Sequence, residues 1–193
     1  TFVAGFAGKY ATLSRTAALS RQLSIFFKYY IRSILKNGEY HIDGEKKLTE
    51  RNATIVYSGG DDVFIVGAWN EVIELSIDLQ EKFKKYTQGT LSISSGIGIY
   101  ECTYPIGAIA NETGEMEAES KRMPEKDSVT FMDDGETHLI NELEICDGTY
   151  RWEELYKSVL GEKYDVIQDF LGESDERGMS FLYRMLELIR NQK

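Results

Sequence analysis

From about Ala11 to Lys36, apolar residues recur at three-to-four spacing: Leu13, Ala17, Leu23, Phe27, Ile31 and Ile34. That period puts them on one stripe of a long amphipathic helix, and Asn37-Gly38 supplies its stop. The polar stretch EYHIDGEKKLTERN, 39–52, predicts an exposed turn-rich loop with a small hairpin around Asp43-Gly44. Beyond it the pattern changes. ATIVY (53–57) and VFIVG (63–67) are short β-branched and aromatic runs separated by Ser58 to Asp62, which predicts a β-hairpin. Asn70 is placed to cap a second helix with Val72, Leu75, Leu79, Phe83 and Tyr86 on one face, and Gly89 to end it in a left-handed conformation.

LSISSGIGIY, 91–100, predicts a buried strand, and Pro105 sits where the first turn of a third helix tolerates it. That helix runs through IGAIANETGEMEAESKR, with an acidic second half that reads partly as loop, and SVTFM (128–132) predicts a further strand. The order helix, strand, strand, helix, strand, helix, strand is that of an α+β sandwich with helices over one face of a mainly antiparallel sheet. One strand is expected before the first helix. From about Tyr150 the composition shifts to three helical runs broken at Gly161 and between Gly172 and Gly178. The expected division is 1–149 and a small helical domain, 150–193. The opening TFVAGFAGKY lacks methionine and the closing FLYRMLELIRNQK is an amphipathic pattern that can continue, so the sequence reads as a piece of a larger polypeptide.

Composition narrows the classes. With 42% hydrophobic and 28% charged residues, the 193-residue chain can bury a sizeable core. No run of eighteen apolar residues and no basic-then-apolar leader occurs, which supports neither membrane insertion nor secretion and points to the cytoplasm. Cys102 and Cys146 are far apart and outside any CxxC spacing, so they are expected as reduced, buried small residues. His41 and His138 stand apart from each other and from any cysteine, which argues against a histidine-built metal site. A net charge of −10 disfavours non-specific binding to a phosphate backbone. If phosphates bind, cations must mediate.

The candidate chemistry lies in YSGGDD, 57–62. Two adjacent carboxylates, Asp61 and Asp62, repel each other unless something offsets the cost. A pair of Mg²⁺ or Mn²⁺ ions roughly 3.5–4 Å apart serves in-line displacement at phosphorus and needs crowded hard oxygen ligands. At a hairpin bend the strand alternation breaks, so neighbouring carboxylates can converge, and divalent cations reverse their repulsion. Gly59 and Gly60 lack Cβ atoms and let a triphosphate lie close to the backbone. The other reading is a polar hairpin bend, because Gly and Asp dominate turns for reasons unrelated to catalysis.

The flanking pattern favours chemistry. ATLSRTAALSRQLSIFFKYYI, VYSGGDDVFIVGAW, LSISSGIGIY, YPIGAIANETGEMEAESKR and SVTFM, in that order, resemble the large subunit of type III CRISPR effector complexes, subtype III-A. The likeness is to its second, GGDD-bearing palm domain and the helical domain that follows, and it covers nearly the whole chain. It implies a ferredoxin-like palm of the polymerase and nucleotide-cyclase type that joins ATP through 3′–5′ links into cyclic oligoadenylates. The implied partners are the other effector subunits and, through the complex, CRISPR RNA and target RNA, whose binding switches the site on. Carried over by position, Asp61 and Asp62 are the metal-binding catalytic carboxylates, Ser58, Gly59 and Gly60 line the triphosphate side, and Lys121 reaches phosphate. Lys121 also reads as a cation that complements a helix C-terminus.

Two departures from the family matter. The aspartate-bearing strand that precedes helix one and completes the metal site lies before this sequence begins, so the fragment alone is expected to have reduced activity or none. The family's N-terminal HD nuclease domain is absent from it too.

Other residues divide between function and packing. Ser20 and Ser24 interrupt the apolar side of helix one, where a hydroxyl can meet an adenine edge or simply permit close packing. Trp69 and Tyr86 are expected as core anchors, and the acidic run Glu112 to Glu119 as a solvated face. Tyr150, Trp152, Tyr156, Phe170, Phe181 and Tyr183, interleaved with basic residues, suit either subunit docking or a self-contained helical core. Two rival functions remain. A GGDEF-type cyclase using GTP is weakened because Asp62-Val63 stands where Glu-Phe is expected, and a non-catalytic palm scaffold would bind subunits and RNA without turnover.

Overall fold

The computed structural model describes residues 12–39, 50–60, 62–132 and 135–172, with side chains described to residue 169. Thr12 opens the first helix, its hydroxyl accepting from the Arg15 amide at 3.4 Å, which satisfies one of the amides left free at a helix start. The helix runs as α1 (Leu13–Ile25), a π-helical turn (Phe26–Tyr30) and α2 (Ile31–Lys36), and stops at Asn37, whose side chain donates to the Ser33 carbonyl at 3.2 Å. Leu23, Phe26, Phe27, Ile31 and Ile34 are buried along it, so the predicted stripe forms the core face from Leu23 onward, whereas its first two members, Leu13 and Ala17, are exposed.

That stripe packs against α3 (Trp69–Tyr86), which contributes Leu75, Leu79 and Phe83 to the same core cluster. The Phe26 and Phe83 rings meet edge-on at 5.1 Å, a geometry that aromatic quadrupoles favour. Over this pair lies a hairpin of β1 (Ala53–Gly59) and β2 (Asp62–Gly67), antiparallel, with Ala53, Ile55, Val63 and Ile65 packed on the cluster. α3 ends in paired bonds from Gly89 N to Lys84 O (2.8 Å) and from Gln88 N to Lys85 O (3.3 Å), and both donors have positive φ. This is a Schellman end, so Gln88 shares the left-handed role expected of Gly89 alone.

A second layer joins β3 (Ser95–Ile97), β4 (Ser128–Phe131) and β7 (Thr149–Arg151). β3 and β4 are parallel, β4 and β7 antiparallel. A parallel pair needs a crossover, which α4 (Ile106–Ser120) supplies. α4 lies so close to β3 that a Cβ on Gly96 would fall 2.3 Å from the Thr113 carbonyl oxygen. The buried hydroxyls here are paired: Ser128 donates to Ser120 O at 2.6 Å, and Thr130 and Thr149 share a bond of 2.8 Å. β5 (Thr137–Ile140) and β6 (Leu143–Cys146) form a separate hairpin whose turn residues Asn141 and Glu142 both take positive φ.

The structure corrects several expectations. The described ladders fall into three sheets, one of them mixed, because β3 and β4 run parallel. The strand expected over 91–100 is limited to Ser95–Ile97. The cap of α3 is Ala68, with no side-chain bond, and Asn70 lies inside the helix. Pro105 is the residue before α4 and not its first, and the acidic half of α4 is helical throughout. Trp69 is no core anchor: at the start of α3 it is 62% exposed, whereas Tyr86 packs on the core as expected and bonds Gln22 Oε1 at 2.7 Å. Cys102 is exposed and Cys146 buried, and neither is in a disulfide. The acidic run is not simply a solvated face, because Glu112 accepts from Tyr104, Glu117 pairs with Lys121, and Glu119 with Arg122.

The chain divides into two compact units, Thr1–Trp152 and Glu153–Lys193. Tyr150 pairs with Val129 across β7 and β4, so the sheet of the first unit reaches past residue 149. Trp152, the last residue of that unit and the first of α5 (Trp152–Glu154), donates its indole N–H to the Ile93 carbonyl at 2.8 Å. The second unit carries a π-helical segment, Leu155–Lys163, and α6 (Tyr164–Gly172). Gly161 lies inside the π-helical segment and does not break it. The expected preceding strand, the hairpin at Asp43-Gly44, His41 and the closing amphipathic run lie outside the described residues. Among the described residues no helix is long and apolar enough to cross a membrane.

Candidate active site at the hairpin turn

Gly59 pairs directly with Asp62, so Gly60 and Asp61 form a two-residue connection. Two-residue hairpin loops demand positive φ, and Gly60 takes φ +65° with nothing within 4 Å of where a Cβ would stand. Asp61 lies outside the described residues.

The direction of each neighbouring side chain follows from a bulge. Ile55 pairs with Ile65, then Tyr57 with Phe64 and Ser58 with Val63, so the register shifts by one between Ile55 and Tyr57. On β2, Ile65 and Val63 are two apart and share the core face. On β1 their partners, Ile55 and Ser58, are three apart and share that face only because the bulge absorbs the extra residue. Ser58 therefore points inward, and its hydroxyl donates to the Phe27 carbonyl, within the π-helical turn, at 2.8 Å. Gly59, Asp62, Tyr57 and Phe64 take the outer face. Asp62 is exposed there, with no ion-pair partner among the described residues. Tyr57, 57% exposed, stretches over Gly59: a Cβ at that glycine would fall 2.3 Å from the phenol oxygen.

The remaining sequence candidates lie elsewhere in the first unit. Ser20 is exposed on α1. Lys121 is the C-terminal cap of α4, and its ammonium pairs with Glu117 at 2.5 Å. This matches the helix-terminus role weighed for it. The hydrogen bonds and ion pairs of the described residues do not join Ser20 or Lys121 to the turn. Tyr57 and Phe27 were not singled out from sequence. Tyr57 carried a signal, being a large aromatic two residues before a glycine it must share a strand face with. Phe27 contributes through its carbonyl, which side-chain patterning does not report.

A hard divalent cation fits the donor chemistry at the turn: Asp62 offers an exposed carboxylate beside a glycine whose backbone is open to approach. Among the described residues no group of three or more His, Cys, Asp or Glu side chains is arranged to hold a metal ion. A complete ligand set therefore requires groups beyond these, Asp61 being the adjacent one.

The first unit is thus a mixed α/β structure with a glycine–carboxylate hairpin turn laid over two helices. Residues 2–130 match the family described as Cas10/Cmr2, second palm domain, and the chain belongs to that family. It is 44% identical over 183 residues to the single-strand-specific deoxyribonuclease Cas10/Csm1 (subtype III-A) of Mycobacterium tuberculosis, covering 94% of this chain and 21% of that protein. It is also similar to the crystal structure of the Csm1-Csm4 cassette in complex with one ATP, with 30% identity and a TM-score of 0.61 over 74% of this chain and 20% of that one. The Csm1-Csm4 cassette in complex with cA4 matches at 26% identity and a TM-score of 0.61, over 82% of this chain and 25% of that one. The chain thus spans about a fifth of the length of the curated relatives it matches.

Proposed function

We propose that this chain is the core of a metal-dependent nucleotidyltransferase palm that polymerises ATP into cyclic oligoadenylate within an RNA-guided type III CRISPR effector. The observation that carries the reading is the exposed Asp62 carboxylate on the outer face of a hairpin whose glycine turn leaves its backbone open. Crystal structures of relatives hold ATP and cA4, which supports a nucleotide as the ligand.

In this reading Asp61 and Asp62 hold Mg²⁺ or Mn²⁺. When bound, such ions polarise a phosphate and help a hydroxyl ionise. The backbone of Ser58, Gly59 and Gly60 lines the triphosphate, which approaches at Gly60, where nothing stands within 4 Å of the missing Cβ. Lys121 reaches phosphate by exchanging Glu117 for it, and Ser20 meets the adenine edge. The first unit, to Trp152, is the palm domain, and the unit from Glu153 is a helical domain that docks other subunits. CRISPR RNA and target RNA act on the site through the assembled, cytoplasmic complex.

The test is incubation of the full complex with target RNA, Mg²⁺ or Mn²⁺, and ATP or GTP, followed by mass analysis. Cyclic oligoadenylate from ATP alone supports the reading. Product from GTP instead would favour a GGDEF-like cyclase. Undiminished product from a complex carrying both Asp61→Ala and Asp62→Ala would sink it, leaving a scaffold.

A further inference from the structure

Two local irregularities meet at the base of the turn, joined by a hydrogen bond. The first helix carries a π-helical turn at Phe26–Tyr30, β1 carries a bulge between Ile55 and Tyr57, and the Ser58 hydroxyl bridges the two at 2.8 Å from the Phe27 carbonyl. π turns and bulges each disturb a regular ladder and tend to occur where a side chain must be re-aimed. Here the bulge has a definite effect. Without it Ser58, three residues after the inward Ile55, would face outward, and the phase of Gly59 against the core would reverse.

We propose that Ser58 is a positioning residue whose hydroxyl anchors the last paired residues of the hairpin to helix one, holding Asp62 on the outer face, and that this hydroxyl does not itself bind phosphate. The chemistry of a hydroxyl supports this. It has one proton to donate, and that proton is committed to Phe27 O. What remains is acceptor capacity, which a triphosphate oxygen does not use. The same hydrogen bond ties the metal-binding turn to the element that carries Ser20, so the carboxylate and the base-contacting position share one rigid support.

The catalytic consequence rests on the proposed cyclase reading, whereas the anchor itself does not. The experiment therefore has two arms, in the full-length subunit within its complex, using Ser58→Ala and the hydroxyl-retaining Ser58→Thr. In the first, amide hydrogen exchange is followed without nucleotide over peptides covering 57–63. Ser58→Ala is expected to exchange about fivefold faster there, as loss of one ordinary hydrogen bond would produce, and Ser58→Thr to restore protection. In the second, Ser58→Ala lowers kcat about tenfold or more while the KM for ATP stays within about twofold, because the reacting groups are misplaced but the nucleotide contacts remain. Unchanged exchange in Ser58→Ala overturns the proposal. So does a raised KM at unchanged kcat, which would make Ser58 a nucleotide contact. If the wild-type complex makes no cyclic product, the cyclase reading fails and the exchange arm decides the anchor alone.

Discussion

The Arg51 guanidinium and the Asp78 carboxylate meet at 3.3 Å with both side chains withdrawn from solvent. Arg51 stands two residues before β1, its amide bonded to Leu35 O at 2.8 Å and its guanidinium also to the Glu39 carbonyl, with Glu71 3.9 Å away. Asp78 lies on α3 and also engages Lys82 and the Glu39 amide. One buried pair thus pins the end of helix one, the entry to the β1–β2 hairpin and α3 together.

Removing one partner strands a buried charge. Asp78→Leu is expected to destabilise the subunit by about 3–5 kcal/mol, and Arg51→Met similarly, whereas the double replacement should recover a large part of the loss. Denaturant melts of the single and double variants measure it.

Gly96→Ala should loosen the second layer. The added methyl meets the Thr113 carbonyl at 2.3 Å and the Glu117 amide nitrogen at 2.7 Å, both backbone atoms that move only with α4. A loss of about 1–3 kcal/mol is expected. Gly107→Ala, with nothing within 4 Å and inside α4, should instead be neutral or slightly stabilising.

Asp62→Asn should separate chemistry from folding. The side chain is exposed and unpaired among the described residues, so thermal melting and complex assembly are expected to match wild type. On the proposed cyclase reading, in which Asp62 holds a metal ion, cyclic oligoadenylate output should fall by about a hundredfold or more. Chelation with EDTA should give the same silence in the wild-type complex, reversed by excess Mg²⁺ or Mn²⁺.

Tyr100 supplies a pH signature. Burial, and then the Glu112 carboxylate, push its phenol up to about 12 from the ordinary 10.0. Its ring stacks on Tyr104 at 5.3 Å, and Glu112 accepts from the Tyr104 hydroxyl. A folded-state value above the unfolded one favours the folded state while the phenol stays protonated. That contribution is complete below pH 10 and lost as pH rises from 10 to about 12. Glu112→Gln should lower the Tyr100 midpoint yet leave it above 10, because burial remains, and NMR of ring-labelled tyrosine resolves the shift. An unchanged midpoint would remove Glu112 as a cause.

The local elements were legible because their causes are local. The stripe through Leu23, Phe27, Ile31 and Ile34 reports helix period, and ATIVY and VFIVG around two glycines report a hairpin. β5, β6 and β7 were not anticipated, although Asn141-Glu142 and Asp147-Gly148 punctuate short alternating runs and mark turns. Trp69 was misjudged because an aromatic at a helix start reads the same whether it faces a core or solvent.

Period and the GGDD string by themselves determined an α+β chain with a glycine–carboxylate hairpin, and the resemblance carried by the stretches flanking it, in order, pointed to the family. Only the tertiary structure decided which way that hairpin faces. A side chain's direction in a strand depends on parity, and one bulged residue reverses parity without changing composition or period. The burial of Arg51 and the bond from Ser58 to Phe27 depend on partners 27 and 31 residues distant in the chain, beyond the reach of any local pattern.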